Sequence, residues 1–360
     1  MPSPRSSILL SAALLALAPP LTAQEPALGD PLPLFQAHDL LTLRIEADFD
    51  ALKDDRDDEN EERPGQVYLI RADGTEVPFP VQIRTRGRFR LQSNTCDFPP
   101  LRLNFRKGQV EESLFDGQDK VKLVTHCRGG DQYEQNVVKE YLVYRLYNVL
   151  TPLSFQVRMA RITYVDTSGE DDPVERLAFF IEMEESLAER LAGVIVPEED
   201  QESGIHPARV TNDHALRVSL FQYMVGNTDF SMYGSLSGTR SPPHNSVPVE
   251  RESGGIVPVP YDFDWTGLVN ARYARPDPSL GTRNVRQRVF RGLCRPGVDY
   301  ASYYAFFQSH RAELTATVAD EPLLGEDERE DTLEYLDDFW ETIENERNAR
   351  RRIEEACRRI

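Results

Sequence analysis

The side chains best placed to do chemistry begin at Gly226-Asn227-Thr228-Asp229-Phe230 and end at Tyr261-Asp262-Phe263-Asp264-Trp265, with His244-Asn245 between them. Ile256 to Pro260 reads as a strand running into the second motif. Strand side chains two apart share a face, so Asp262 and Asp264 are expected to point together, with Tyr261, Phe263 and Trp265 opposite. Two close carboxylates beside aromatic rings repel each other and resist desolvation. A divalent cation relieves both costs, and Mg²⁺ suits a site of one or two carboxylates completed by phosphate oxygens and water. An Asp after a helix, a downstream Asn and a strand-borne Asp are parts that phosphoryl transfer requires: one group orients the hydroxyl and two hold metal. The structural alternatives are a helix stop followed by an Asx turn at Gly226–Asp229, and an Asp262/Asp264 pair that caps a loop or binds Arg272 and Arg275.

The elements that must position these groups follow from periodicity. Leu43 to Asp48 alternates with period two and reads as a strand. Val67 to Arg71 and Val77 to Arg90 form a hairpin around the Asp73-Gly74 turn. Leu101–Phe105 and Val121–Val124 add further strands of an antiparallel sheet. Gln135 to Leu150 switches to helical spacing, with Val138, Leu142 and Leu146 on one stripe and Lys139, Glu140 and Arg145 on other faces. Two long strands follow, Val157 to Val165 and Leu177 to Glu184. Thr211-Asn212-Asp213 then caps a helix that Gly226 stops. A last long helix is expected from about Glu326 to Arg359. The acidic run Asp54 to Glu62 reads as a solvated loop without the Gly and ligand spacing of a calcium site. The expected organisation is residues 24–40 as a linker or arm, 41–190 as a β-rich half, and 191–360 as a helical half carrying the segment 226–265.

Composition narrows the classes. A net charge of -19 argues against nucleic acid and against anionic membranes, and 40% hydrophobic residues can build a core. Residues 1–23 read as an export signal: Arg5, an apolar run through Leu17, then Leu21-Thr22-Ala23 before Gln24. That run is too short to span a bilayer, and no later segment approaches a transmembrane span. A periplasmic or extracellular location is therefore expected. Four cysteines, none at zinc-ligand spacing, suggest two disulfides in an oxidising compartment. Three connectivities are possible; Cys96–Cys127 with Cys294–Cys357, one bridge per half, is preferred. Gly-x-Ser-x-Gly, Rossmann and P-loop patterns do not occur, and the histidines form no paired zinc motif.

From about Ile83 to Asp264 the chain resembles the CotH (spore-coat protein H) kinases, secreted atypical protein kinases. The residues that carry the likeness are Arg86-Gly87, Lys122, Asn136 with Tyr141, Glu184, Asn227 with Asp229, Asn245, and Tyr261-Asp262-Phe263-Asp264. The resemblance implies a two-lobed α+β kinase-like fold with an antiparallel β-rich N-terminal lobe and a mainly helical C-terminal lobe. It implies Mg²⁺ or Mn²⁺, ATP as phosphate donor, and a protein Ser/Thr or other hydroxyl acceptor in the envelope. Asp229 would be catalytic, orienting or deprotonating the acceptor hydroxyl. Arg86, Lys122 and Glu184 would handle the nucleotide, with Lys120 an equal contender to Lys122. Asp262, Asn245 and Asp264 would hold metal. The chain departs from the family where Arg88-Phe89 replaces Asn-Ser, where Arg102 occupies a lysine position, and where Ser235–Pro243 lengthens the path from Asp229 to Asn245. The rival expectation is a pseudokinase, or an envelope scaffold that binds without turnover.

Overall fold

The computed structural model describes residues 27–57, 60–234 and 241–359. The expected export signal and residues 58–59 and 235–240 of the two expected loops lie outside them. The chain order is β1 (Leu41–Ala47), α1 (Phe49–Asp54), β2 (Arg63–Ile70), β3 (Glu76–Thr85), β4 (Leu101–Phe105), β5 (Lys120–Val124), α2 (Asp131–Leu150), β6 (Val157–Asp166) and β7 (Val174–Ile181). These are followed by α3 (Glu184–Arg190), β8 (Gly193–Ile195), α4 (Glu198–Gln201), α5 (Asn212–Met224), β9 (Ser246–Arg251) and β10 (Ile256–Pro260). The last helices are α6 (Tyr300–Ser309), α7 (Arg311–Ala319), α8 (Glu326–Glu344) and α9 (Glu346–Ala349), and a π-turn spans Arg350–Glu354.

The expected kinase-like pair of an antiparallel lobe and a helical lobe does not form. The first seven strands close into a mixed barrel, in the order β1-β2-β3-β4-β5-β7-β6. Closure comes from β1, which pairs in parallel with β6 from Leu41↔Ala160 to Ala47↔Asp166. That contact joins strands more than a hundred residues apart, so no local pattern announces it. Inward residues such as Leu43, Ile45, Val67, Ile83, Leu103, Val121, Ile162 and Phe180 fill the barrel. Leu34 and Phe35, from a short turn in the arm, join the same cluster. The region after the barrel is not merely helical either, because β8, β9 and β10 make a three-stranded antiparallel sheet in the order β10-β9-β8.

α2 packs on the outside of β6 and β7, so the first half of β6 and the second half of β7 are buried on both faces. Phe179 and Phe180 are both buried yet belong to opposite clusters. Strands covered on two sides read as continuous apolar runs, and Ala178-Phe179-Phe180-Ile181 is one. α2 is itself buried nearly all round, including Lys139 and Glu140, which the helical stripe had assigned to other faces. The expected final helix breaks at Asn345, whose side chain caps α9 by accepting from the Asn348 N–H at 3.0 Å. Both expected disulfides form, Cys96–Cys127 and Cys294–Cys357, and no described cysteine is free. Two bridges fit a secreted protein. No described helix is long and apolar enough to cross a membrane.

Candidate functional site

A cleft of about 990 Å³ opens between the outer face of the barrel and the β9–β10 sheet with its flanking turns. All seven residues singled out from the sequence line it: Arg86, Lys122, Glu184, Asp229, Asn245, Asp262 and Asp264. The barrel wall contributes the cations. Lys122 stands at the centre of β5, and its ammonium is ion-paired to Glu184. Glu184 is the first residue of α3, not the end of a strand as expected. Burial depresses the Lys122 pKa and the Glu184 charge opposes that fall; at Glu184 burial pushes the carboxyl up, but the Lys122 charge and hydrogen bond, a backbone N–H and Arg86 together lower it. Lys120 lines a separate depression with Glu182, Glu185 and Glu189. Arg86 and Arg88 enter from the β3–β4 connection, whereas Arg102 pairs with Glu62 at 3.3 Å and does not line the cleft.

The opposite wall is built from turns. α5 ends at Met224 with Val225 as its C-cap, and Gly226 follows with φ +67°, where a Cβ would meet the Tyr335 hydroxyl at 2.0 Å. The chain then turns through Asn227, whose Oδ1 accepts from the Asp229 N–H at 2.8 Å; this is the Asx turn of the structural alternative. Asn245 Nδ2 donates to the Asp229 backbone oxygen at 2.7 Å and to its Oδ2 at 3.1 Å, so both amide hydrogens are directed at Asp229. His244 Nε2 lies 3.2 Å from Asp229 Oδ1, and that hydrogen bond raises the His244 pKa.

Asp262 and Asp264 do not extend β10, which stops at Pro260. Asp262 adopts φ +59° and Asn245 φ +49°, left-handed conformations that Asn and Asp tolerate better than most residues. The strand argument for their common face therefore fails, although both carboxylates still reach the cleft. The Asp262 N–H donates to Tyr144 Oη at 2.9 Å, which anchors the turn to α2. Asp264 is buried and accepts from Tyr273 Oη at 2.9 Å; it pairs with neither Arg272 nor Arg275. Burial and the neighbouring Asp262 charge push the Asp264 carboxyl up to about 7.

Several participants were not anticipated. Arg90 lines the cleft, 3.5 Å from Glu140 and donating to the Thr125 carbonyl at 2.7 Å. Burial opposes its charge, but Tyr273, Glu140, Asp264 and Asp262 hold it protonated, while burial and Asp264 raise the Glu140 carboxyl well above its usual range. Phe89 packs edge-on to Trp265 at 5.1 Å, joining the two walls. The run Arg86-Gly87-Arg88-Phe89-Arg90 was the available signal for Arg90; Glu140 had none, because its partner Arg90 is fifty residues away, whereas Tyr273 stands only nine residues after its partner Asp264.

No trio of His, Cys, Asp or Glu among the described residues is grouped to hold a metal ion by itself. The donors present are hard oxygens, from Asp262, Asp264 and the Asn245 amide. Repulsion between Asp262 and Asp264, which the charge of Arg90 opposes only in part, is what a further cation would offset. Such a set fits Mg²⁺ or Mn²⁺, which complete their shells with phosphate oxygens and water, and does not fit an all-protein zinc cage. No protein-family model matches this chain, and no curated protein matches it.

Proposed function

We propose that this cleft transfers a phosphoryl group from a nucleotide, with Mg²⁺ or Mn²⁺, to a hydroxyl acceptor, the class implied by the CotH resemblance being Ser/Thr of an envelope protein. One observation carries this reading: seven residues spread from Arg86 to Asp264 converge on a single cleft, with Arg86 and the Lys122–Glu184 pair on one wall and Asp229, Asn245, Asp262 and Asp264 on the other. The proposal rests on the site and not on the fold, since one chemistry recurs on unrelated architectures. Lys122, held by Glu184, would grip phosphate oxygens together with Arg86 and Arg88. Asp262, helped by Asp264 and the Asn245 amide oxygen, would hold the ion. When bound, that ion neutralises charge on the phosphates as the bond to the leaving oxygen breaks. Asp229, steadied by Asn245 and His244, would orient the acceptor hydroxyl and take its proton as the oxygen attacks phosphorus. Export fits the disulfides, and we propose removal of residues 1–23 near Ala23/Gln24, which N-terminal sequencing of secreted protein would check.

Thermal denaturation with and without Mn²⁺ and nucleotide tests the binding half. A ligand specific to the native state stabilises it by about 2.7 kcal/mol at a hundredfold excess over Kd. Wild type should show a shift that needs both components, and Asp262→Asn should lose most of it. Equal shifts in both proteins would remove Asp262 from the metal site, and no shift in wild type would favour the scaffold.

A further inference from the structure

Asp229 lies in a turn that no helix or strand ladder holds. The peptide unit joining Thr228 to Asp229 is nevertheless secured at both ends. Its carbonyl accepts from Arg291 Nη1, and its N–H donates to Asn227 Oδ1 at 2.8 Å. The Arg291 guanidinium also sits 5.6 Å from the centroid of the Phe230 ring, so one side chain meets both neighbours of Asp229. Arg291 itself stands in a stretch without helix or strand, between the short turn Pro278–Leu280 and α6. What keeps it there is the C-terminus. Leu293 bridges to Arg358, the Cys294 N–H donates to the Arg358 carbonyl at 2.9 Å, the Arg358 N–H donates to the Gly292 carbonyl at 2.8 Å, and Cys294 is bonded to Cys357.

We propose that Arg291 is a positioning residue for Asp229: clamped from behind by the Cys294–Cys357 bridge, it fixes the Thr228–Asp229 peptide plane and so aims the Asp229 carboxylate at the acceptor hydroxyl. This inference rests on the phosphoryl-transfer reading. With that plane held, Asp229 keeps its φ, ψ and side-chain rotations; Asn245 restricts the backbone by donating to the Asp229 carbonyl, and His244 and Asn245 restrict the carboxylate. Catalytic groups must be held close to the productive geometry, and a small misplacement costs rate more than binding. Arg291→Met keeps the bulk and removes the donors and charge, whereas Arg291→Lys retains a donor.

The test has two readouts on the full chain. In hydrogen exchange of the ligand-free protein, Arg291→Met should speed exchange of the Asp229 amide about tenfold or more, while α5 amides keep their protection. Cys294→Ser/Cys357→Ser should move the same amide in the same direction, and Arg291→Lys should fall between. In the transfer assay, Arg291→Met should lower kcat about tenfold with the nucleotide KM unchanged. Wild-type protection of the Asp229 amide in Arg291→Met overturns the proposal. So does faster exchange spread equally over α5, which would mark general loosening. If wild type transfers no phosphate, the functional reading falls, and the exchange arm separately decides whether Arg291 holds the turn.

Discussion

Replacing Glu182 tests how rigidly the barrel presents Glu184. Arg190 and Glu182 form a buried bidentate pair, Nε to Oε1 at 2.9 Å and Nη2 to Oε2 at 2.8 Å, with side chains 5% and 2% exposed. Arg190 also donates to the carbonyls of Pro152 at 3.1 Å and Ser154 at 2.6 Å, and Glu182 accepts from the Gln156 N–H at 3.1 Å. Glu182→Ala therefore orphans one backbone donor and strands a buried guanidinium that keeps two neutral acceptors. Breaking a buried pair from one side costs about 3–5 kcal/mol. The two retained carbonyl bonds place this case near the lower end, about 3 kcal/mol. Glu182→Met/Arg190→Met removes both charges together and should cost clearly less than the sum of the single changes. Urea denaturation at unchanged m-value measures each term. A loss under about 1 kcal/mol for Glu182→Ala would refute the burial argument, as would strict additivity in the cycle.

Three further outcomes follow from buried histidines, a disulfide and a strained glycine. Burial lowers the pKa of His126 to about 3 and of His214 to about 4, so the folded state stays neutral while the unfolded chain takes up protons below about 6.5. Stability should thus be unaffected by them above pH 6.5 and fall as pH drops below it, by about 2 kcal/mol for each at pH 5; His126→Gln/His214→Gln should flatten the pH 5–7 slope in denaturation. Opening Cys96–Cys127, whose residues are 31 apart, should cost about 3–4 kcal/mol in the chain-entropy account and free the connection carrying Arg86 and Arg88, read by denaturant midpoint and by limited proteolysis near that segment. Gly226→Ala should destabilise by more than 1 kcal/mol, since φ +67° and the Tyr335 hydroxyl both oppose a Cβ there; an unchanged denaturant midpoint would show that the turn before Asp229 is not constrained.

Much of the site was legible because chemistry dictates residue type. Carboxylates, an amide and a lysine in order along the chain can be recognised wherever the fold carries them, and the strand bearing Lys122 and the helix that Gly226 stops follow from periodicity. The barrel was not legible, because β1–β6 pairing is non-local and each strand alternates the same way in an open sheet. Glu140 was misplaced since a helix packed on all sides carries no polar stripe, and a buried charge is decided by a partner such as Arg90, fifty residues earlier. Asp262 was misread because Val257-Pro258-Val259-Pro260 extends smoothly by pattern, while the left-handed Asp262 ends the strand's alternation.

The central claim is that Asp229 and Asp262 serve one reaction in different ways, and transfer of labelled phosphate from ATP with Mn²⁺ tests it most directly. Wild type should label itself or envelope extract. Asp229→Asn should lower transfer about 10²-fold or more while keeping the metal- and nucleotide-dependent thermal shift. Asp262→Asn should lose transfer and shift together. No transfer by wild type, or full transfer by Asp229→Asn, would contradict the account.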